Sequence, residues 1–168
     1  MIQHFWLQCK IQTTWRLHYL LAAFKQQFHA GNPSVVHHRM FERPLVYSCS
    51  GCSSAAQMAN YIAVQLHRQG LAEMSCIAGV GGSVKKMLQM AGSGRRIIAI
   101  DGCSLKCSKA CLRMHALEPD GYFELSRMGV KKLDREDFDM EEARNILSQI
   151  QAQTGILANS NDAFLKMI

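Results

Sequence analysis

The amino-acid sequence predicts an α/β fold, a small three-layer Rossmann-like domain built on a four-stranded parallel sheet. Strand-like and helix-like segments alternate four times between residues 44 and 154, which is typical of a parallel sheet with helices on both faces. The segment 97–100 is a continuous apolar run, as expected for a strand that is buried on both faces. Because crossover connections are right-handed, few topologies remain, and we expect the strand order 2-1-3-4.

The first strand and helix are indicated by residues 45–69. Residues 45–48 form a short run of β-favouring side chains, and Ser53 and Ser54 can cap a helix over about residues 55–69. Within that helix, apolar residues recur at four-residue spacing, as on one buried face: Met58, Ile62 and Leu66.

Several closely spaced glycines lie near the middle of the chain. Residues 74–78 favour a second strand, after which Gly79, Gly81 and Gly82 predict a loop. We expect Ser83 to cap a helix that ends near residue 90. The N–H groups of this loop could bind an anion, but the loop lacks the spacing of nucleotide-binding motifs. Close approach of its backbone to the cysteine cluster explains the glycines more simply.

The second half repeats the alternation. Residues 96–100 are the third strand, residues 104–117 a helix, and residues 121–125 the fourth strand. Asp139, followed by Glu142 three residues later, predicts a capping box that starts a helix ending near residue 154.

The chain divides by composition into two parts, residues 1–41 and residues 42–168. The first part has four basic residues and no acidic residue, and we interpret it as a basic N-terminal extension, either non-native or helical. Met40 resembles a natural start, although the composition also fits a transit peptide or a helix on a membrane surface. We interpret residues 42–168 as a metal-binding α/β domain.

Charge and cysteine content bound the possible functions. The net charge is +6, but residues 42–168 are nearly balanced, so no nucleic-acid surface is expected. The sequence contains no apolar run of roughly 18 residues that could span a membrane and no cleavable signal pattern. Seven cysteines, an odd number grouped in motifs, favour metal binding or thiol chemistry in a reducing compartment, and we expect a cytoplasmic protein.

Two cysteine pairs follow two strands that should be neighbours. Cys49 and Cys52 come directly after the first strand, and Cys103 and Cys107 come directly after the third. The carboxyl ends of parallel strands lie at one edge, so the two pairs should converge there. Both pairs also precede helices, whose N-terminal N–H groups favour thiolates. Four thiolates about 2.3 Å from the ion are a typical zinc site, and the sequence therefore predicts zinc bound by these four residues.

Other polar residues have less definite roles. Cys76 is expected at the end of the second strand, where it is either an outer or substitute ligand or a core residue, while Cys111 is expected to pack. Asp101 could form hydrogen bonds with the N–H groups of the turn or with a cysteine environment, or it could be a plain turn residue. His67 and His115 are expected at the surface.

Four stretches of the sequence resemble the DGC-domain proteins, a family of small bacterial and archaeal proteins described as zinc-binding. They are residues 49–53, 74–82, 98–107 and 128–132, the third of which contains Asp101-Gly102-Cys103. The resemblance covers about residues 44–150 and has no counterpart for residues 1–41. It implies a zinc site at the same four cysteines and implies no particular reaction.

Two other functions use the same cysteines. A thiol–disulfide oxidoreductase could employ Cys49 and Cys52, with Cys103 resolving the disulfide. An iron–sulfur cluster also accepts four cysteines. Phosphatase chemistry is disfavoured, because the position six residues after Cys49 is Ala55 and not the required arginine. Whether the protein is an enzyme stays open, and no feature of the sequence indicates a protein partner.

Overall fold

The computed structural model describes residues 43–156 of the chain, in which four strands and five α-helices alternate. In chain order they are β1 (Leu45–Ser48), α1 (Ser54–Arg68), β2 (Glu73–Met74), α2 (Ile77–Gly81), α3 (Lys85–Ala91), β3 (Ile97–Asp101), α4 (Cys107–Arg113), β4 (Gly121–Glu124) and α5 (Met140–Thr154). A 3-10 turn, Leu125–Met128, follows β4. The predicted extension and the end of the chain lie outside the described residues.

The sheet is entirely parallel and has the order β2-β1-β3-β4, which confirms the predicted topology. β1 lies in the interior of the sheet, where Val46 is opposite Met74 on one side and Ile98 on the other. At the carboxyl edge, Ser48 is opposite Ile100. The loops that carry the two cysteine pairs therefore leave the sheet side by side.

Alternation along the strands separates the core into two layers, one on each face of the sheet. On one face, Val46, Ile98 and Ile100 pack with apolar side chains of α1 and α5. On the other face, Tyr47 and Ala99 pack with side chains of α2, α3 and α4, among them Val80, Ala91 and Leu112. Each fully buried Leu or Ile stabilises the fold by about 1.5–3 kcal/mol. None of the helices in residues 43–156 is long and apolar enough to cross a membrane.

The second strand and the glycine segment differ from the prediction. β2 has only two residues, and the expected glycine loop is partly the short helix α2. The glycines allow close packing, because a Cβ atom at Gly81 would lie 3.0 Å from Cys111 Sγ. Gly81 thus allows α2 to pack closely against α4. The backbone does approach its neighbours closely, but these are Met87 and Cys111 and not the four predicted ligands, and the predicted loop was wrong.

Two other helices begin later than predicted. Ser83 adopts a left-handed φ of 58° and caps nothing, and α3 begins at Lys85. α4 begins at Cys107, because residues 103–106 form a turn in which the Lys106 N–H donates to the Cys103 carbonyl oxygen at 3.1 Å. The capping aspartate of α5 is confirmed, since Asp139 Oδ1 accepts a 2.6 Å bond from the Glu142 N–H.

Candidate metal centre

Cys49 joins the two cysteine-bearing loops. It directly follows β1, is only 7% exposed, and its Sγ atom accepts a hydrogen bond from the Gly102 N–H at 3.1 Å. Its own N–H donates to the Ile100 carbonyl oxygen at 3.0 Å, which continues the pairing of β1 with β3. The predicted convergence of the loops is therefore present in the backbone.

Gly102 allows this approach because it lacks a side chain. A Cβ atom at this position would lie 2.6 Å from both the carbonyl carbon and the carbonyl oxygen of Ala55, in the first turn of α1. Gly51, within the first cysteine pair, is different, since its Cβ atom would meet only Ala56 Cβ at 3.6 Å. The loop after β3 thus rests directly on the helix that follows the first cysteine pair.

Asp101 fixes the helix that carries Cys107. Its side chain is fully buried, and its Oδ1 and Oδ2 atoms accept hydrogen bonds from the Ser108 N–H at 2.8 Å and the Lys109 N–H at 3.2 Å. These N–H groups belong to the first turn of α4, where a carboxylate is favoured by the helix dipole. Asp101 therefore accepts backbone hydrogen bonds, but from the first turn of α4 and not from the turn after β3 as expected.

The four predicted ligands differ in exposure. Cys49 is buried, Cys103 is partly exposed, and both Cys52 and Cys107 are exposed. Within residues 43–156, no group of three or more His, Cys, Asp or Glu side chains is arranged to hold a metal ion. The donor chemistry fits a soft metal, because cysteine sulfur is a soft ligand. The four thiols belong to two loops that are joined by a hydrogen bond. The side chains themselves are not gathered around one point.

Burial dominates the electrostatics of Cys49. It raises the pKa of the thiol to about 11, against the opposing effect of the Gly102 N–H bond. The acidic groups of Asp101, Cys107 and Cys103 raise this pKa further. At neutral pH, Cys49 is consequently a thiol in the metal-free protein. A bound cation would lower this pKa by favouring the thiolate.

Within residues 43–156, the two remaining cysteines and the two histidines have structural contacts. Cys76 is exposed and caps α2 through its Sγ atom, which accepts the Gly79 N–H at 3.4 Å, so it does not end a strand. Cys111 is partly buried, as expected of a packing residue. His115 Nε2 lies 2.8 Å from the Val80 carbonyl oxygen, and His67 Nδ1 accepts the Met74 N–H at 3.2 Å. Both histidines thus connect elements.

Two charged residues near the centre do not stand out in the sequence. Glu124, the last residue of β4, has a side chain that is only 4% exposed, and its Oε2 lies 3.8 Å from Lys106 Nζ. Lys106 is the residue directly before Cys107. The position of Glu124 near the centre follows from the register of the sheet, which places it beside Asp101.

Comparisons with known proteins agree on one family. The family model described as the DGC domain matches residues 45–150. The chain is also similar to the anaerobic and virulence modulator AnvM of Pseudomonas aeruginosa, with 48% identity over 118 residues, covering 67% of this chain and 90% of that protein. No solved structure matches the chain.

Proposed function

Because this chain belongs to the DGC-domain family, we propose that it is a metal-binding protein that holds zinc with Cys49, Cys52, Cys103 and Cys107. The observation that carries the proposal is the hydrogen bond from the Gly102 N–H to Cys49 Sγ, which joins the loops of the two cysteine pairs. This bond opposes the larger effect of burial on the pKa of Cys49, so binding of the ion would have to displace the thiol proton.

A four-sulfur site has a restricted set of roles. When bound, zinc would be fully coordinated by the protein and would leave no open position for a substrate. The site would therefore stabilise the two loops or signal the presence of metal, and would not act as a catalyst. The name of AnvM describes a modulator, and a sensing role for this chain agrees with that description.

Redox catalysis by Cys49 and Cys52 is the second candidate. It is favoured by the position of Cys52, which is exposed directly after a strand and before α1. An attacking thiol, however, needs access to its substrate, whereas Cys49 is only 7% exposed. The metal-binding function is therefore the better supported of the two.

Thiol labelling separates these functions. In protein purified without chelator and without air, we expect a mild alkylating reagent to label the four cysteines slowly. A strong chelator should accelerate labelling and lower the melting temperature, because departure of the ion frees the thiolates and removes its binding energy. Site-resolved mass spectrometry, with Cys111 as the internal reference, measures the rates.

The redox function predicts a different result. Cys52 would be labelled rapidly whether or not chelator is present, and the protein would turn over a disulfide substrate. That pair of observations would contradict zinc binding and make the protein an oxidoreductase. An iron–sulfur cluster would instead give the anaerobically purified protein strong visible absorption, together with iron in elemental analysis.

A further inference from the structure

The backbone before Cys107 is held in an uncommon conformation. Lys106 has φ 55° and ψ 42°, a left-handed geometry that residues with a side chain adopt rarely. Its side chain makes no capping bond to α4. The surrounding structure must therefore stabilise this conformation, which sets the direction in which Cys107 enters the helix.

Glu124 supplies a contact to Lys106 from the neighbouring strand. Its Oε2 lies 3.8 Å from Lys106 Nζ and 3.3 Å from Arg127 Nε, and its Oε1 accepts a 2.9 Å bond from Ser126 Oγ. The carboxylate is nearly buried, so loss of a cationic partner leaves a poorly compensated charge. This gives the Lys106 contact more weight than an exposed ion pair has.

The two carboxylates at the ends of β3 and β4 hold different parts of one segment. Asp101 and Glu124 are paired in the sheet register. Asp101 binds the N–H groups of the first turn of α4, and Glu124 contacts the side chain of the residue before that helix.

We infer that Glu124 is a positioning residue for the metal centre and acts through Lys106 to hold the loop between Cys103 and Cys107. The metal-related part of this inference rests on the proposed function. Groups that hydrogen-bond a metal ligand directly typically contribute about 10–100-fold to metal affinity. Glu124 contacts the residue next to Cys107, so we expect its effect at the lower end of that range.

Four substitutions in the full chain isolate the contact. Glu124→Gln removes the charge and keeps the shape of the side chain, while Lys106→Asn removes the cation and tolerates the left-handed backbone. Lys106→Arg retains the cation and is expected to preserve the loop. Arg127→Gln is the matched control, because Arg127 contacts the same carboxylate but lies outside the cysteine loop.

Cobalt(II) binding measures the effect on the metal centre. We expect Lys106→Asn and Glu124→Gln to weaken cobalt affinity about tenfold and to alter the thiolate-to-cobalt absorption band. Lys106→Arg and Arg127→Gln should keep the wild-type affinity and spectrum. A role in stability alone would change the melting temperature without changing the spectrum. Wild-type affinity and spectrum for Lys106→Asn would contradict the inference.

Labelling of the metal-free, reduced protein tests the loop without any metal. Alkylation of the partly exposed Cys103 should be several-fold faster in Lys106→Asn and Glu124→Gln than in the wild type or Arg127→Gln. Unchanged rates would overturn the inference. If the wild type binds no cobalt, the proposed function fails, and this labelling still decides whether Glu124 holds the loop. Should Glu124→Gln not fold, Lys106→Asn alone carries the test, because the Lys106 side chain is 42% exposed.

Discussion

At the residue scale, Gly102 determines how closely the two cysteine loops approach each other. Its N–H group donates to Cys49 Sγ, and the space that a side chain would need is taken by the backbone of Ala55. The requirement is steric, since the φ angle of Gly102 is not in the left-handed region. Gly51 has no comparable neighbour, although both glycines look alike in the sequence.

Alanine at each glycine tests this difference. Gly102→Ala should destabilise the protein by about 1–3 kcal/mol, because rigid backbone must move to accommodate the methyl group. It should also weaken zinc binding by separating the loops. Gly51→Ala is the control and should leave the melting temperature nearly unchanged. Chemical denaturation of both variants measures the effect, and equal stability of the two would contradict this account of Gly102.

At the element scale, two helices of the domain are capped by aspartates in different ways. Asp139 precedes α5 by one residue and binds the N–H of Glu142. Asp101 lies at the end of β3, separated from α4 by a turn, and is fully buried. Because α4 begins with Cys107, the position of its N-terminus determines the position of a predicted ligand.

Removing each cap should have a different cost. Asp139→Ala should lower the free energy of unfolding by about 1 kcal/mol, as is usual for an N-terminal cap. Asp101→Ala should lower the free energy of unfolding by about 2–3 kcal/mol, because it leaves N–H groups in or near the core without an acceptor. Amide hydrogens of α4 should then exchange faster. Urea unfolding and amide exchange measure both effects. A smaller loss for Asp101→Ala than for Asp139→Ala would contradict the assigned role.

These caps also show which elements a sequence can reveal. The cap of α5 is local, three residues from donor to acceptor, and was predicted. The cap of α4 spans seven residues and a turn closed by Lys106, so its start was placed too early. Likewise, Gly79 and Gly81 predicted a loop, because their role in packing α2 depends on Met87 and Cys111, which only the folded chain brings near.

At the scale of the whole molecule, alternation of strands and helices was sufficient to predict a parallel sheet and its strand order. The same topology predicted that the loops of Cys49 and Cys103 meet. The contact between Glu124 and Lys106 was not predictable, because it joins the end of β4 to the residue before α4 through side chains that are 18 residues apart. Convergence of loops is a property of the fold, whereas orientation of side chains depends on such individual contacts.

The family match begins at residue 45, and residues 1–41 contain no acidic residue. We therefore expect a chain beginning at Met40 to unfold cooperatively on heating and to bind metal like the full chain. Differential scanning calorimetry of both chains measures this. An insoluble product, or one without a cooperative transition, would show that the first 39 residues are needed for folding.

Zinc content tests the central claim, that two cysteine pairs converge to bind one ion, most directly. Elemental analysis of the full chain, purified without chelator and without air, should find about one zinc per chain. Cys49→Ser and Cys103→Ser, each affecting one pair, should lose most of it, while Cys111→Ser, outside both pairs, should retain it. Undiminished zinc in both pair variants, or no zinc in the wild type, would contradict the claim.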